Sequence, residues 1–132
     1  MEIRRDKYLD ILIHSCGNGL IKVITGMRRS GKSYLLFTLF KNYLIKQGVK
    51  EDHIIGVNLE NRLNKSLRDP DALLQYIDSR LSSDGQYYVM LDEVQMVSEF
   101  EDVLNSFLSI SNVDVFVTGS NAKFLSKDVI TE

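Results

Sequence analysis

The stretch ITGMRRSGKSYLL, from Ile24 to Leu36, restricts the fold more than any other part of the sequence. Residues 26–33 read GMRRSGKS, which matches the glycine-rich pattern G-x-x-x-x-G-K-[ST]. Such a loop holds phosphate where a strand enters it and a helix leaves it, because backbone N–H groups and the helix N-terminus supply the positive field. The apolar, β-rich residues 20–25 predict that strand, and residues 32–46 predict the helix, with Gly48 just beyond its end. The sequence therefore predicts a phosphate-binding loop between a buried strand and a helix.

The side chains of this loop have separate predicted roles. Lys32 is expected to reach the β- and γ-phosphates of a nucleotide, and the hydroxyl of Ser33 is expected to ligate Mg²⁺. Arg28 and Arg29 occupy variable positions, and we expect their side chains to point outward because the phosphate cradle itself is backbone. The residues predicted to bind the nucleotide are Gly26, Met27, Arg28, Arg29, Ser30, Gly31, Lys32, Ser33 and Tyr34.

Apolar strands and helices alternate along the rest of the sequence. Further strands are predicted at residues 53–59 (HIIGVNL), 87–91 (YYVML) and 113–118 (VDVFVT). Helices are predicted at residues 6–14, 32–46, 70–82 and 98–110. Asp69 and Ser98 are the predicted N-caps of the last two helices. The alternation predicts an α/β fold of three layers, in which helices cover both faces of a mostly parallel sheet.

Two adjacent carboxylates follow the third predicted strand, in the segment YYVMLDEVQ. Asp92 is suited to hold Mg²⁺, and Glu93 is suited to orient or deprotonate a water that attacks the phosphate. Taken alone, an acidic pair after a strand is more often a turn or a helix cap. Parallel sheets bind ligands at the carboxyl ends of their strands, so we expect the pair and the glycine-rich loop to meet there. The fourth strand ends in TGSNA, where Ser120 and Asn121 are candidates to contact the γ-phosphate and the water.

Composition and charge argue against several other classes of protein. The chain has 132 residues, which suits a single domain, and a formal net charge of −2 with a pI of about 5.7. This charge supports neither nucleic acid nor an anionic membrane as a partner. Cys16 is the only cysteine, which excludes an internal disulfide and indicates a reduced, cytoplasmic setting. The apolar runs in the sequence are too short or too interrupted to span a bilayer.

Three segments together, ITGMRRSGKSYLL, VMLDEVQ and VFVTGSNAKFLS, resemble the AAA+ superfamily of P-loop ATPases. Within it, the sequence is similar to a prokaryotic group whose loop reads G-x-R-R-x-G-K-S and whose acidic motif reads D-E-[IV]-Q. The resemblance implies ATP or ADP as the ligand, together with Mg²⁺. The site residues it implies are Lys32 and Ser33 (Walker A), Asp92 and Glu93 (Walker B), and Ser120 or Asn121 (sensor 1).

The resemblance also implies parts beyond these motifs. A complete AAA+ module has a fifth strand, an arginine finger, a sensor-2 arginine and a helical lid. We expect residues 1–132 to be the N-terminal part of one such ATP-binding domain, ending before those parts, through which homo-oligomers would form. Hydrolysis by this piece alone is then expected to be weak or absent, because the cationic groups that neutralise transition-state charge are worth orders of magnitude in rate.

Three further residues have a role only through the resemblance. Asn58 matches a strand-end residue that can restrain the Walker B glutamate, although an Asn in this place is equally a turn former. Tyr8 and Leu9 match a segment that lies near adenine, although a helix that simply packs on the sheet explains them equally well.

The motifs leave two kinds of function open. The first is Mg²⁺-dependent ATP hydrolysis that drives a conformational change in a larger protein, with Glu93 activating the water. The second is a regulatory switch that binds ATP or ADP with little or no turnover. A phosphotransferase is a weaker third alternative, because an acceptor would have to take the place of the water. The process that the nucleotide drives is not encoded in these motifs, since one fold of this kind hosts many functions.

Overall fold

A sheet of five parallel strands lies between two layers of helices in the computed structural model of the chain. The strands are β1 (Lys22–Ile24), β2 (Ile54–Asn58), β3 (Tyr87–Asp92), β4 (Val113–Thr118) and β5 (Val129–Ile130). They lie in the order β2-β3-β4-β1-β5, and every neighbouring pair is parallel. The structure describes residues 2–25, 29–82, 85–120 and 129–130, and describes side chains within 7–25, 31–82 and 85–120.

The helix that follows β1 runs without a break from Arg29 to Lys46. It begins as α2 (Arg29–Tyr34), continues as a π-helical stretch (Leu35–Phe40) and ends as α3 (Lys41–Lys46). The other helices are α1 (Glu2–Ser15), α4 (Pro70–Asp78) and α5 (Phe100–Phe107), with 3₁₀ turns at Glu51–His53, Arg62–Arg68 and Val94–Met96. Within the described ranges, no helix combines the length and the apolar character needed to cross a membrane.

Each face of the sheet forms its own hydrophobic core. Successive residues of a strand point to opposite faces, so neighbours in β3 enter different layers. Val89 lies in a core that includes apolar side chains of α4 and α5. Met90 lies in a second core with side chains of α1 and of the helical stretch 29–46. The predicted α/β class, with helices on both faces of a parallel sheet, is therefore confirmed.

The fifth strand corrects the expectation that the chain ends before it. Val129 and Ile130 pair in parallel with Val23 and Ile24 of β1. The strand therefore covers the edge of β1 that faces away from β4. The sequence did not predict it because two residues are too few to produce a periodic pattern of apolar side chains.

The helix ends confirm two predicted caps and correct one. The side chain of Asp69 accepts a hydrogen bond from Ala72 N at 2.9 Å, as an N-cap does, and α4 begins at Pro70. Gly48 has φ of 98°, the left-handed conformation expected after a helix. Ser98, however, is not the N-cap of α5: Glu99 occupies that position with φ of 55° and no side-chain capping bond. The backbone N–H of Ser98 instead donates to Arg68 O at 3.1 Å, which joins the segment before α5 to the end of the 3₁₀ turn Arg62–Arg68.

A buried ion pair lies near the amino ends of β1 and β4, away from the carboxyl ends where the predicted motifs lie. The ammonium of Lys22 contacts a carboxylate oxygen of Asp114 and also donates to Asn18 Oδ1 at 3.1 Å. The other carboxylate oxygen accepts Gly17 N at 2.8 Å. Half-buried Cys16 lies close by, and desolvation and the charge of Asp114 raise the pKa of its thiol to about 11. The pair satisfies both charges inside the protein and connects the loop before β1 to β4.

Candidate functional site

The candidate site forms at the carboxyl ends of three neighbouring strands, β3, β4 and β1. Because β4 lies between β1 and β3, residues that follow each of these strands meet at one edge of the sheet. Gly31, Lys32 and Ser33 come from α2, which follows β1, while Asp92 ends β3 and Thr118 ends β4. The strand order thus brings together motifs that lie far apart in the sequence.

Lys32 is almost completely buried, although a charged ammonium is costly to remove from water. Its Nζ donates to the carbonyl oxygen of Gly119 at 2.8 Å and to Ser120 Oγ at 3.2 Å. A carboxylate oxygen of Glu93, Oε2, lies 3.7 Å away. These contacts compensate the buried charge and hold the ammonium between the ends of β3 and β4.

Ser33 and Asp92 place oxygen atoms side by side. Ser33 Oγ donates to Asp92 Oδ2 at 2.6 Å, and Asp92 is buried at the end of β3. Mg²⁺ prefers oxygen ligands and is usually held by one or two protein side chains, with phosphate and water completing the shell. The donor set of this pair therefore fits Mg²⁺.

Thr118 holds the other side of Asp92 and also fixes the backbone of Glu93. Its hydroxyl donates to Asp92 Oδ1 at 2.5 Å and accepts the N–H of Glu93 at 2.8 Å. The side chain is completely buried. One hydroxyl thus sets the position of both carboxylate residues.

Glu93 leaves the strand through a left-handed backbone conformation, with φ of 56° and ψ of 56°. For a residue with a side chain this conformation costs about 1–2 kcal/mol, and here the bond from its N–H to Thr118 supports it. Its buried carboxylate oxygen Oε1 accepts hydrogen bonds from Ser120 Oγ and from Gln95 Nε2, each at 2.7 Å. The turn therefore places this carboxylate next to Lys32 and Ser120, separate from the Ser33–Asp92 pair.

The structure brings five of the predicted site residues together, in two groups that Thr118 links. These residues are Lys32, Ser33, Asp92, Glu93 and Ser120. Tyr34, in α2, has an exposed side chain. The backbone of Arg29 and Ser30 belongs to α2, whereas Gly26, Met27, Arg28 and Asn121 lie outside the described residues.

The residues assigned only through the resemblance have local contacts. Asn58 Oδ1 accepts the N–H of Glu60 at 3.0 Å, and Asn58 O accepts Asn64 Nδ2 at 2.9 Å. The side chain of Asn58 thus stabilises the turn that follows β2. Tyr8 is buried in the core beneath α1, and Leu9 packs against the same core. These contacts favour the turn-forming and packing alternatives for the three residues.

Two residues of the network were not singled out from the sequence, Thr118 and Gln95. Thr118 carries a weak signal, since it is a polar residue that ends the otherwise apolar run VFVT. Gln95 was noted as part of the D-E-[IV]-Q pattern without a role of its own. Gln95 lies two residues after Glu93, and the left-handed backbone of Glu93 turns the chain so that the Gln95 amide reaches the Glu93 carboxylate.

The fold and the family comparison define the chain as an AAA domain. A family model described as an AAA domain matches residues 18–132, and the chain belongs to this family. Its fold is similar to a chain of the Drosophila ORC bound to DNA, with a TM-score of 0.62 and 10% identity, covering 98% of this chain and 88% of that one. It is also similar to C. elegans PCH-2, with a TM-score of 0.55 and 15% identity, covering 92% of this chain and 37% of that one. These likenesses concern the fold alone.

Two relatives are similar in sequence and much longer. An uncharacterized protein of Haemophilus influenzae is 36% identical over 130 residues, which cover 98% of this chain and 32% of the relative. An uncharacterized protein of Methanocaldococcus jannaschii is 33% identical over 113 residues, 84% of this chain and 23% of the relative. The chain thus spans about a third of the first relative and about a quarter of the second.

Proposed function

We propose that this chain binds ATP with Mg²⁺ and hydrolyses it, as the nucleotide-binding part of a larger protein whose conformation responds. The observation that carries the proposal is that three features lie together at one edge of a parallel sheet: the buried ammonium of Lys32, the Ser33–Asp92 oxygen pair and the separate buried carboxylate of Glu93. Membership of the AAA domain family supports the same conclusion.

Each residue of the network has a distinct proposed task. Lys32 binds the β- and γ-phosphates, while Ser33 and Asp92 hold Mg²⁺, which offsets negative charge on the phosphates when bound. Glu93 accepts a proton from the attacking water. Ser120 Oγ accepts a hydrogen bond from Lys32 and donates one to Glu93. Its proposed task is therefore to keep the Glu93 carboxylate oriented.

A regulatory switch with little turnover is the second candidate, and a specific contact favours it. Glu93 Oε1 already accepts two hydrogen bonds, from Ser120 and Gln95. These two bonds occupy the acceptor sites of this oxygen, so it is not free to take a proton from a water while they are formed. A protein whose glutamate is held in this way would bind nucleotide in a well-formed site and hydrolyse it slowly.

The first experiment separates binding from hydrolysis. In a longer protein that contains this chain, we expect Glu93→Gln to keep Mg²⁺-ATP affinity within about twofold, measured by calorimetry, while phosphate release falls about 100-fold or more because the base is lost. We expect Lys32→Ala to weaken ATP binding by about tenfold or more, since a charge-assisted contact to phosphate is removed. The matched control is Lys46→Ala, an exposed lysine in the last turn of the same continuous helix, which should leave both quantities unchanged.

The outcomes discriminate among the candidates. Equal phosphate release by wild type and Glu93→Gln would show that Glu93 is not the base. Tight ATP binding with undetectable hydrolysis by a longer protein that contains this chain would favour the switch. Phosphate that appears on an acceptor and not in solution would favour the phosphotransferase.

A further inference from the structure

Gln95 lies beside Glu93, on the 3₁₀ turn Val94–Met96 that follows β3. Its Nε2 is 2.7 Å from Glu93 Oε1. A carboxylate oxygen only accepts hydrogen bonds, so the amide must present its nitrogen to Glu93. This contact therefore assigns the nitrogen and the oxygen of the Gln95 amide: Nε2 faces the carboxylate, and Oε1 points away from it.

The Oε1 atom of Gln95 is an unused acceptor close to the proposed base. It is shielded from solvent, and no donor among the described residues forms a hydrogen bond with it. Leaving a buried acceptor without a donor costs about 1–3 kcal/mol, and buried polar atoms in proteins usually have partners. This oxygen can therefore accept a hydrogen bond from a small molecule that enters the site. The proposed reaction requires such a molecule, the attacking water.

We propose, on the basis of the proposed hydrolysis, that Gln95 positions the attacking water. Its Nε2 holds the Glu93 carboxylate, and its Oε1 accepts one hydrogen bond from the same water whose other proton Glu93 takes. The water oxygen then forms a bond to the γ-phosphorus, the bond from that phosphorus to the β–γ bridging oxygen breaks, and ADP leaves. Two acceptors are needed because a water held by one carboxylate alone can still rotate, and misorientation lowers the rate.

A purely structural role for Gln95 makes a different prediction. If its amide only stabilised the turn after β3, removing it would loosen Glu93, Asp92 and the nucleotide site together. Affinity for ADP and affinity for a mimic of the transition state would then fall by the same factor. A water-positioning role affects only the state in which the water attacks.

The test compares Mg²⁺-ADP binding with and without aluminium fluoride, which together with ADP mimics the transferring phosphoryl group and its attacking water. In a longer wild-type protein that contains this chain, we expect aluminium fluoride to tighten ADP binding by about 100-fold or more, as transition-state analogues do. In Gln95→Met, of similar shape but unable to hydrogen-bond, we expect ADP affinity within about twofold of wild type, most of the tightening lost, and kcat lowered about 10- to 100-fold.

The matched control is Gln86→Met, because Gln86 lies just before the amino end of the same strand and, within the described ranges, its Nε2 donates only to Tyr87 O, at 3.1 Å. It should leave all of these quantities unchanged. Circular dichroism checks that Gln95→Met folds, and Gln95→Leu, which likewise cannot accept a hydrogen bond, is the second variant, with the same loss expected.

Several results would overturn the inference. One such result is full tightening of ADP binding by aluminium fluoride in both Gln95 variants. Another is that ADP affinity and the tightening fall by the same factor. Either result would leave the proposed function in place. A wild type that binds ADP without tightening would overturn the role of Gln95 together with hydrolysis. A wild type that binds neither ATP nor ADP would overturn the proposed function itself, and the inference with it.

Discussion

Thr118 shows how a residue without reaction chemistry of its own can determine a site. Asp92 and Glu93 are adjacent in the sequence, and their carboxylates are held by different partners. The hydroxyl of Thr118 bonds both residues, at Asp92 Oδ1 and at the N–H of Glu93. It therefore supports the left-handed turn that separates the proposed metal ligand from the proposed base.

Replacing that hydroxyl should destabilise the whole domain. Thr118→Val keeps the shape but leaves a buried carboxylate oxygen and a buried N–H without this partner, so we expect the free energy of unfolding to fall by about 2–4 kcal/mol in urea titration. Thr118→Ser keeps the hydroxyl and loses one buried methyl group, so about 1 kcal/mol is expected. Equal losses for the two variants would contradict a special role for the hydroxyl.

The residues of the candidate site differ in how far the sequence predicts them. Lys32, Ser33 and Asp92 belong to short motifs whose meeting follows once a parallel strand order is assumed. Gln95 does not, because its contact depends on the left-handed backbone of Glu93, and no pattern of residue types marks such a turn at a glutamate. Side-chain direction after a turn is a tertiary property, and sequence periodicity carries no information about it.

At the scale of elements, strands were easier to predict than helix ends. Buried strands of a parallel sheet are nearly continuous apolar runs, and the predicted strand 113–118 has the observed bounds. Helix starts depend instead on which polar side chain reaches a free N–H. Asp69 makes such a bond, whereas Ser98 has its own N–H bound to Arg68 O and the helix begins after Glu99.

The contrast between these two candidate caps gives a matched pair of substitutions. Asp69→Ala removes the acceptor of Ala72 N, so we expect the free energy of unfolding to fall by about 1 kcal/mol, within the range measured for N-caps. Ser98→Ala, at an exposed residue that is not the N-cap, should change it by less than about 0.5 kcal/mol. The measurement is chemical denaturation of both variants. A larger loss for Ser98→Ala than for Asp69→Ala would mean that the α5 cap has been misassigned.

At the scale of the whole molecule, polar contacts join β1 and β4 at both ends of the sheet. At the carboxyl end, Gly119 N donates to Ile24 O at 3.1 Å and Gly119 O accepts the ammonium of Lys32. Near the amino end, the buried pair Lys22–Asp114 connects the same two strands. The two strands are buried along nearly their whole length, and these polar contacts tie them together at the two ends of the pair.

This arrangement predicts that the ion pair matters for stability and only indirectly for the nucleotide. Asp114→Asn leaves the buried ammonium of Lys22 without its counter-charge, so we expect a loss of about 3–5 kcal/mol in the free energy of unfolding. The double variant Lys22→Met/Asp114→Leu removes both charges, and its stability should lie much nearer the wild type, because a buried pair is often replaceable by apolar residues of similar volume. Urea titration measures the stability of both variants. Calorimetry on the folded double variant should give wild-type ATP affinity, since the pair lies at the opposite end of the strands from Lys32. A double variant as unstable as Asp114→Asn would show that the pair contributes more than the mutual compensation of two buried charges.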